Sequence, residues 1–181
     1  MVISPFAGDF VIIMGTAGTG KSEIGRRVAS RIGCRFVEAD ELHAPEAVAQ
    51  MRQGVPLIDE QRMPWLHAVC ERALSQEDRP VVIACSALKR HYRNLLRMRL
   101  GRVRFVSLEG TPELILERLL ARSGHFATAS LLESQIRALE TPHPDEDALR
   151  LDIALSPELL TDQACRWLLD ASLQPRMAPE G

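Results

Sequence analysis

The sequence predicts an α/β fold built on a parallel sheet covered on both faces. Two observations carry that expectation. Short apolar runs at 9–14, Pro80–Cys85 and Val103–Leu108, with more mixed strand-like stretches at Arg35–Glu38 and 149–155, alternate with segments of helical character. Strands buried on both faces read this way, whereas a half-solvated strand alternates apolar and polar residues. The second observation is that the first run breaks into Gly15-Thr-Ala-Gly-Thr-Gly-Lys21-Ser22, a Gly-rich turn that passes straight into a helix.

Taken in order, the strand at 9–14 precedes a helix over 20–32, and the short strand Arg35–Glu38 precedes a helix from about Pro45 to Gln53. Gly54 to Pro64 is a turn-rich connection to a helix at about 64–76. The strand Pro80–Cys85 follows, then a basic helix at about 87–99 and the strand Val103–Leu108. Thr111-Pro112 opens the next helix, a capping residue followed by proline in the first turn, and that helix runs to about Arg122. A small-residue segment leads to a helix at about 130–140, the strand 149–155 and a last helix from about Pro157 to Ala171. Residues 172–181 read as a frayed tail. The 181 residues fit one domain, which typically takes about 100–200.

Composition excludes several classes. With 46% hydrophobic and 25% charged residues and a net charge of −2, nothing draws the chain generally to nucleic acid or anionic membrane. The apolar runs are too short to span a bilayer, and the N-terminus lacks the basic start and apolar core of a signal peptide, so a cytoplasmic location is the default expectation. Cys34, Cys70, Cys85 and Cys165 lie far apart with no C-x-x-C, which disfavours disulfides and zinc and leaves them as reduced, mostly buried side chains.

Gly15, Gly20, Lys21 and Ser22 satisfy the phosphate-loop pattern G-x-x-x-x-G-K-[ST]. A chance match in a chain this long is on the order of one per cent. In such a loop the backbone of Gly15, Thr16, Ala17, Gly18, Thr19, Gly20, Lys21 and Ser22 forms an anion-binding nest in front of a helix N-terminus. Lys21 reaches the β- and γ-phosphates and the Ser22 hydroxyl holds Mg²⁺. A guanine-specific GTPase would carry Asn-Lys-x-Asp, but the single asparagine, Asn94, precedes Leu95. A motor ATPase would place an acid after an apolar strand, where this chain has Cys85-Ser86.

A kinase for a small acceptor needs a carboxylate at the acceptor hydroxyl, positive charge around the phosphoryl group and a cover against water. Asp40 follows the second strand directly, on the rim where the phosphate loop opens; it reads as a hydroxyl-orienting group or base, with a helix N-cap as the alternative. His43 is a candidate for the acceptor. Lys89, Arg93 and Arg97 share a helix face; the first two are placed to meet an anionic acceptor, and Arg97 reads as solvated. Arg118 and Arg122 lead into Ser123-Gly124-His125-Phe126, as a closing lid over ATP requires; two solvent-facing arginines are the alternative.

The chain resembles the gluconokinase family from about residue 11 to 155. The resemblance rests on the phosphate loop, Ala39-Asp-Glu-Leu-His43, Met51-Arg-Gln-Gly-Val-Pro-Leu57, Asp59 to Arg62 and Pro64-Trp-Leu66. It continues in Cys85-Ser-Ala-Leu-Lys-Arg-His-Tyr-Arg93, Arg122-Ser-Gly-His-Phe126, Leu131-Leu-Glu-Ser-Gln135 and Leu139-Glu-Thr-Pro142. It implies a P-loop NTPase fold of nucleoside-monophosphate-kinase type, with strand order 2-3-1-4-5 and a small helical lid at about 118–140. It also implies Mg·ATP as donor, transfer to the 6-hydroxyl of D-gluconate and commonly a homodimer. On that footing Lys21, Asp40, Arg118 and Arg122 are the catalytic candidates, and Asp40, His43, Arg62, Lys89 and Arg93 face the sugar acid. Where the family usually has Asn, Lys and an acid, this chain has Ala47, Gln50 and Gln61, in the segment expected to shape the acceptor pocket. A kinase for another small acceptor, and an ATP-binding module without transfer activity, are the competing readings.

Overall fold

The computed structural model describes residues 9–121 and 129–170. Five strands, β1 (Phe10–Met14), β2 (Arg35–Glu38), β3 (Val81–Ala84), β4 (Val103–Glu109) and β5 (Ala148–Asp152), form one parallel sheet in the order β2-β3-β1-β4-β5. That is the order the resemblance implies. Seven helices accompany them among the described residues: α1 (Lys21–Ile32), α2 (Pro45–Arg52), α3 (Asp59–Leu74), α4 (Arg90–Leu100), α5 (Pro112–Leu120), α6 (Ala129–Ala138) and α7 (Pro157–Asp170).

Alternation along β1 divides the core. Phe10, Ile12 and Met14 pack with Trp65, Leu66 and Val69 of α3 and Leu96 of α4. Val11 and Ile13 point the other way, to Ile24 and Val28 of α1 and Leu160 and Leu168 of α7. Every residue of β1 is buried, so the strand holds the phosphate loop rigidly at its carboxyl end. Because β1 is flanked by β3 and β4, that end lies in the crevice where ligands bind open parallel sheets.

Two of the boundaries that differ from expectation shape the site. α3 begins at Asp59, a turn and a half before Pro64. The Gln61 side chain caps it by accepting the Ile58 N–H at 3.1 Å, and Asp59 and Glu60 suit the positive end of the helix dipole. Arg62, Trp65, Leu66, Val69 and Cys70 then bury one stripe, which outweighs the proline as a boundary signal. α4 begins at Arg90 instead of near residue 87, because Ala87 adopts a left-handed φ of 42° that no helix accommodates. Thr111 caps α5 as expected, its hydroxyl accepting from the Leu114 N–H at 3.3 Å.

Candidate active site

The phosphate loop is shaped by close packing from behind. A Cβ on Gly15 would lie 2.7 Å from the Leu108 carbonyl oxygen, and one on Gly18 would lie 2.8 Å from that of Ile115 on α5, so both positions exclude a side chain. Inside the loop, the Thr19 hydroxyl and the Lys21 ammonium both donate to the Thr16 carbonyl, at 2.8 and 3.0 Å. Lys21 and Ser22 line a small cavity together with Asp40, His43, Arg62 and Gln135.

The end of β2 supplies the carboxylates. Glu38 and Asp40 stand two residues apart, with Asp40 in a 3₁₀ turn over Ala39–Leu42. Asp40 is not a side-chain cap, since neither that turn nor α2 has one. The Glu38 carboxylate is buried beside the Ser22 hydroxyl, with Arg26 at 3.6 Å, and its Oε1 has no hydrogen-bond partner. Burial raises its pKa, the Ser22 hydrogen bond opposes that, and repulsion from Asp40 adds to it.

His43 sits 4.0 Å from Asp40 and stacks on Trp65 with ring centroids 4.3 Å apart. Trp65 in turn donates to the Ala39 carbonyl at 2.8 Å, so α3 clamps the turn that carries Asp40. The His43 side chain is 4% exposed. Burial, opposed by Asp40 and aided by Arg62, pushes its pKa down to about 4, so the imidazole is neutral at pH 7.

A cleft of about 390 Å³ shares Arg62 and Gln135 with the phosphate-loop cavity and extends to Leu57, Asp59, Lys89 and Tyr92. That volume suits a small ligand. Lys89 donates to Asp59 at 2.8 Å, and Asp59 also receives the Tyr92 hydroxyl at 2.5 Å and lies 3.1 Å from His91 Nε2. The Lys89 and Tyr92 hydrogen bonds hold Asp59 at a pKa of about 2. Arg62 is buried on α3, its Nε donating to the Leu57 carbonyl at 3.3 Å.

Arg93 is a correction. Its guanidinium is fully buried and lines neither cavity; it grips Glu146 at 2.6 and 2.9 Å and donates to the Ala87 and Leu88 carbonyls. It therefore braces the loop that presents Lys89. Burial works against ionised Glu146, but the hydrogen bonds from Arg93, the His143 amide and Arg97 prevail and hold its pKa at about 2. Arg97, expected on a solvated face, reaches the Glu146 carbonyl at 2.6 Å. Arg118 donates to the Ile153 carbonyl at 2.7 Å, at the end of β5, and does not line the phosphate-loop cavity. Arg122 and the segment 122–128 lie outside the described residues.

The departures at 47–61 are also relocated. Gln50 and Gln61 bond each other reciprocally, at 2.9 and 3.3 Å, and line neither the phosphate-loop cavity nor the cleft. Gln50 further donates to the Pro56 carbonyl at 3.0 Å. Ala47 packs on Met51, Leu57 and Leu131. The two amides brace the 50–61 connection, whose Leu57 and Asp59 line the cleft. Residues missed by sequence reasoning are Glu38, Asp59, Tyr92 and Gln135. Of these, Glu38 carries a readable signal, an acid two residues before Asp40 at a strand end.

Known proteins share this architecture and much of this sequence. Residues 10–142 match the family described as AAA domain. A thermosensitive gluconokinase of Escherichia coli is 41% identical over 179 residues, spanning 97% of this chain and 95% of that protein. The chain belongs to the gluconokinase family. A gluconokinase of Gluconobacter oxydans is 39% identical across 87% of this chain and 89% of its own length. Among solved structures, a gluconokinase from Sinorhizobium meliloti superposes with a TM-score of 0.83 at 39% identity, covering 92% of this chain and 94% of that one. A shikimate kinase from Acinetobacter baumannii, with a TM-score of 0.63 and 17% identity, shares the fold. Family membership and the P-loop kinase fold together make this an ATP-binding phosphotransferase with an alcohol acceptor. No described helix is long and apolar enough to cross a membrane.

Proposed function

We propose that the protein transfers the γ-phosphoryl group of ATP to the 6-hydroxyl of D-gluconate, giving 6-phospho-D-gluconate and ADP. The observation that carries this is the shared boundary of two cavities, one holding Lys21 and Asp40, the other holding Lys89, with Arg62 in both. A primary hydroxyl at Asp40 leaves an extended sugar acid running past Arg62, with its carboxylate near Lys89. The hydroxyl oxygen attacks phosphorus, the bond to the bridging β-phosphate oxygen breaks, and the hydroxyl proton passes to Asp40. Lys21 leaves the Thr16 carbonyl to meet the phosphates. Neutral His43, fixed by Trp65, serves as a hydrogen-bonding group for the sugar hydroxyls. Asp59 orients Lys89 for the carboxylate.

The residues fit a magnesium ion: Glu38 has a buried carboxylate oxygen without a partner beside the Ser22 hydroxyl, an oxygen donor set of the kind Mg²⁺ takes. Ser22 and Glu38 would hold it, and when bound it neutralises charge on the β- and γ-phosphates. Arg118 and Arg122 remain our candidates for closing over the phosphates, Arg118 by exchanging its bond to Ile153. A single kinase domain that pairs as a homodimer completes the proposal.

ADP release with gluconate, other aldonic acids, shikimate and nucleoside monophosphates tests it. Gluconate is expected to give the highest kcat/KM, and absence of turnover on gluconate refutes the assignment.

A further inference from the structure

Gln135 stands where the two halves of the site meet, and its chemistry is divided between them. It lies on α6, is 8% exposed, and lines both the phosphate-loop cavity and the acceptor cleft. Its Oε1 accepts the Ala17 N–H at 2.7 Å, across 118 residues of sequence. An N–H donor can be met only by the amide oxygen, which fixes the orientation of the carboxamide. The NH₂ group is then what Gln135 has left to offer a ligand.

The position is held from the other side as well. Just beyond α6, the Glu140 N–H donates to the Leu88 carbonyl at 2.9 Å, and its carboxylate accepts the Arg90 N–H at 2.6 Å, capping α4. The chain from 135 to 140 thus ties the phosphate loop to the segment that presents Lys89. A carboxamide anchored this way cannot turn its oxygen to the cleft without losing the Ala17 bond, and leaving that buried N–H unpaired would be costly.

We propose that Gln135 is an acceptor-binding, specificity-determining residue, its oxygen committed to the phosphate loop and its NH₂ donating to a sugar-acid oxygen at the junction of the two cavities. The proposal rests on the reading that the acceptor occupies the cleft. It selects acceptors that present a lone pair there, and it places the cost of losing Gln135 on the acceptor and not on ATP.

Gln135→Glu separates this role from a purely structural one. The carboxylate keeps the length of the side chain and accepts the Ala17 N–H at least as well, but it offers no donor and repels an anionic acceptor. We expect the thermal midpoint to stay near wild type and the KM for the sugar acid to rise about tenfold or more, with a smaller rise in the KM for ATP, whose phosphates the new carboxylate also faces. Unchanged acceptor KM, or a rise in the KM for ATP of equal size, overturns the proposal. Should Q135E fail to fold, Gln135→Met with a series of deoxygluconates decides. One missing hydroxyl then weakens binding to the wild type and costs the variant nothing further, whereas equal losses in both proteins refute the contact. Wild-type turnover on gluconate tests the functional assignment, and the variant-to-wild-type ratio on whichever sugar acid the wild type phosphorylates tests Gln135. If the wild type phosphorylates no sugar acid, both fall.

Discussion

The phosphate loop and the acceptor cleft sit side by side but are built in opposite ways. The loop is eight consecutive residues between a fully buried strand and a helix, stiffened by bonds within itself, such as Thr19 and Lys21 to the Thr16 carbonyl. The cleft has no such continuity. Asp40 comes from the end of β2, Arg62 from α3, Lys89 from the loop before α4 and Gln135 from α6. What places its residues are distant partners: Trp65 on the Asp40 turn, Asp59 on Lys89, Arg93 and Glu146 behind the Ala87–Leu88 carbonyls. A contiguous site is specified by its own spacing, whereas an assembled one depends on partners drawn from distant parts of the chain.

That contrast can be broken at several points. Asp40→Asn removes the base but keeps the shape of the side chain, so kcat should fall roughly 10³-fold. The KM for ATP should stay within about threefold of wild type, since the loop is stiffened by its own bonds to the Thr16 carbonyl and not by Asp40. Steady-state kinetics with varied ATP and acceptor would show this, and a near-normal kcat would remove Asp40 from the chemistry.

Arg93→Met probes the scaffold behind the cleft. It leaves Glu146 buried without its bidentate partner, at a cost of about 3–5 kcal/mol in urea unfolding. Among folded molecules the acceptor KM should rise while nucleotide affinity holds. If stability is unchanged, the brace is not what holds Lys89 in place.

His43→Gln tests the neutral imidazole. The unfolded chain takes up a proton near pH 6.5, but folded His43 does so only near pH 4. The unfolded state therefore binds more protons in that window, and wild-type stability falls as pH drops from 6.5 toward 4. The variant lacks this contribution. Its thermal midpoint should decline less than that of wild type between pH 7 and 4.5; parallel declines would mean that His43 is already charged.

Gln61→Ala is expected to do least. It removes an exposed amide pair and a helix cap, about 1 kcal/mol or less of stability, with acceptor KM unchanged. A tenfold change in KM would return residues 50–61 to the acceptor pocket.

How legible each part was follows from the same contrast. The alternation of apolar runs and helices was enough for the sheet and its helices, because burial of the central strands β1, β3 and β4 on both faces leaves a local pattern. The phosphate loop and Asp40 were readable for a similar reason: each is located by the strand it follows. Arg93 was misread because helical spacing says which residues share a face and not what covers that face; its partner Glu146 lies 53 positions away. Gln135 gave no sign of its role, since the Ala17 amide it meets is 118 positions distant. The start of α3 was hidden by Pro64, whose effect is outweighed by the Gln61 cap and the buried stripe that follows. Gln50 and Gln61 are 11 positions apart, and only the fold shows that they bond each other.

The most direct test of the central claim is the phosphorus NMR spectrum of the product formed from ATP and gluconate. Transfer to the 6-hydroxyl places the phosphate on a carbon bearing two hydrogens, so proton-coupled spectra should show a new phosphomonoester triplet growing as ADP forms. A doublet, which marks a secondary hydroxyl, or ADP formation with no phosphomonoester at all, would contradict it.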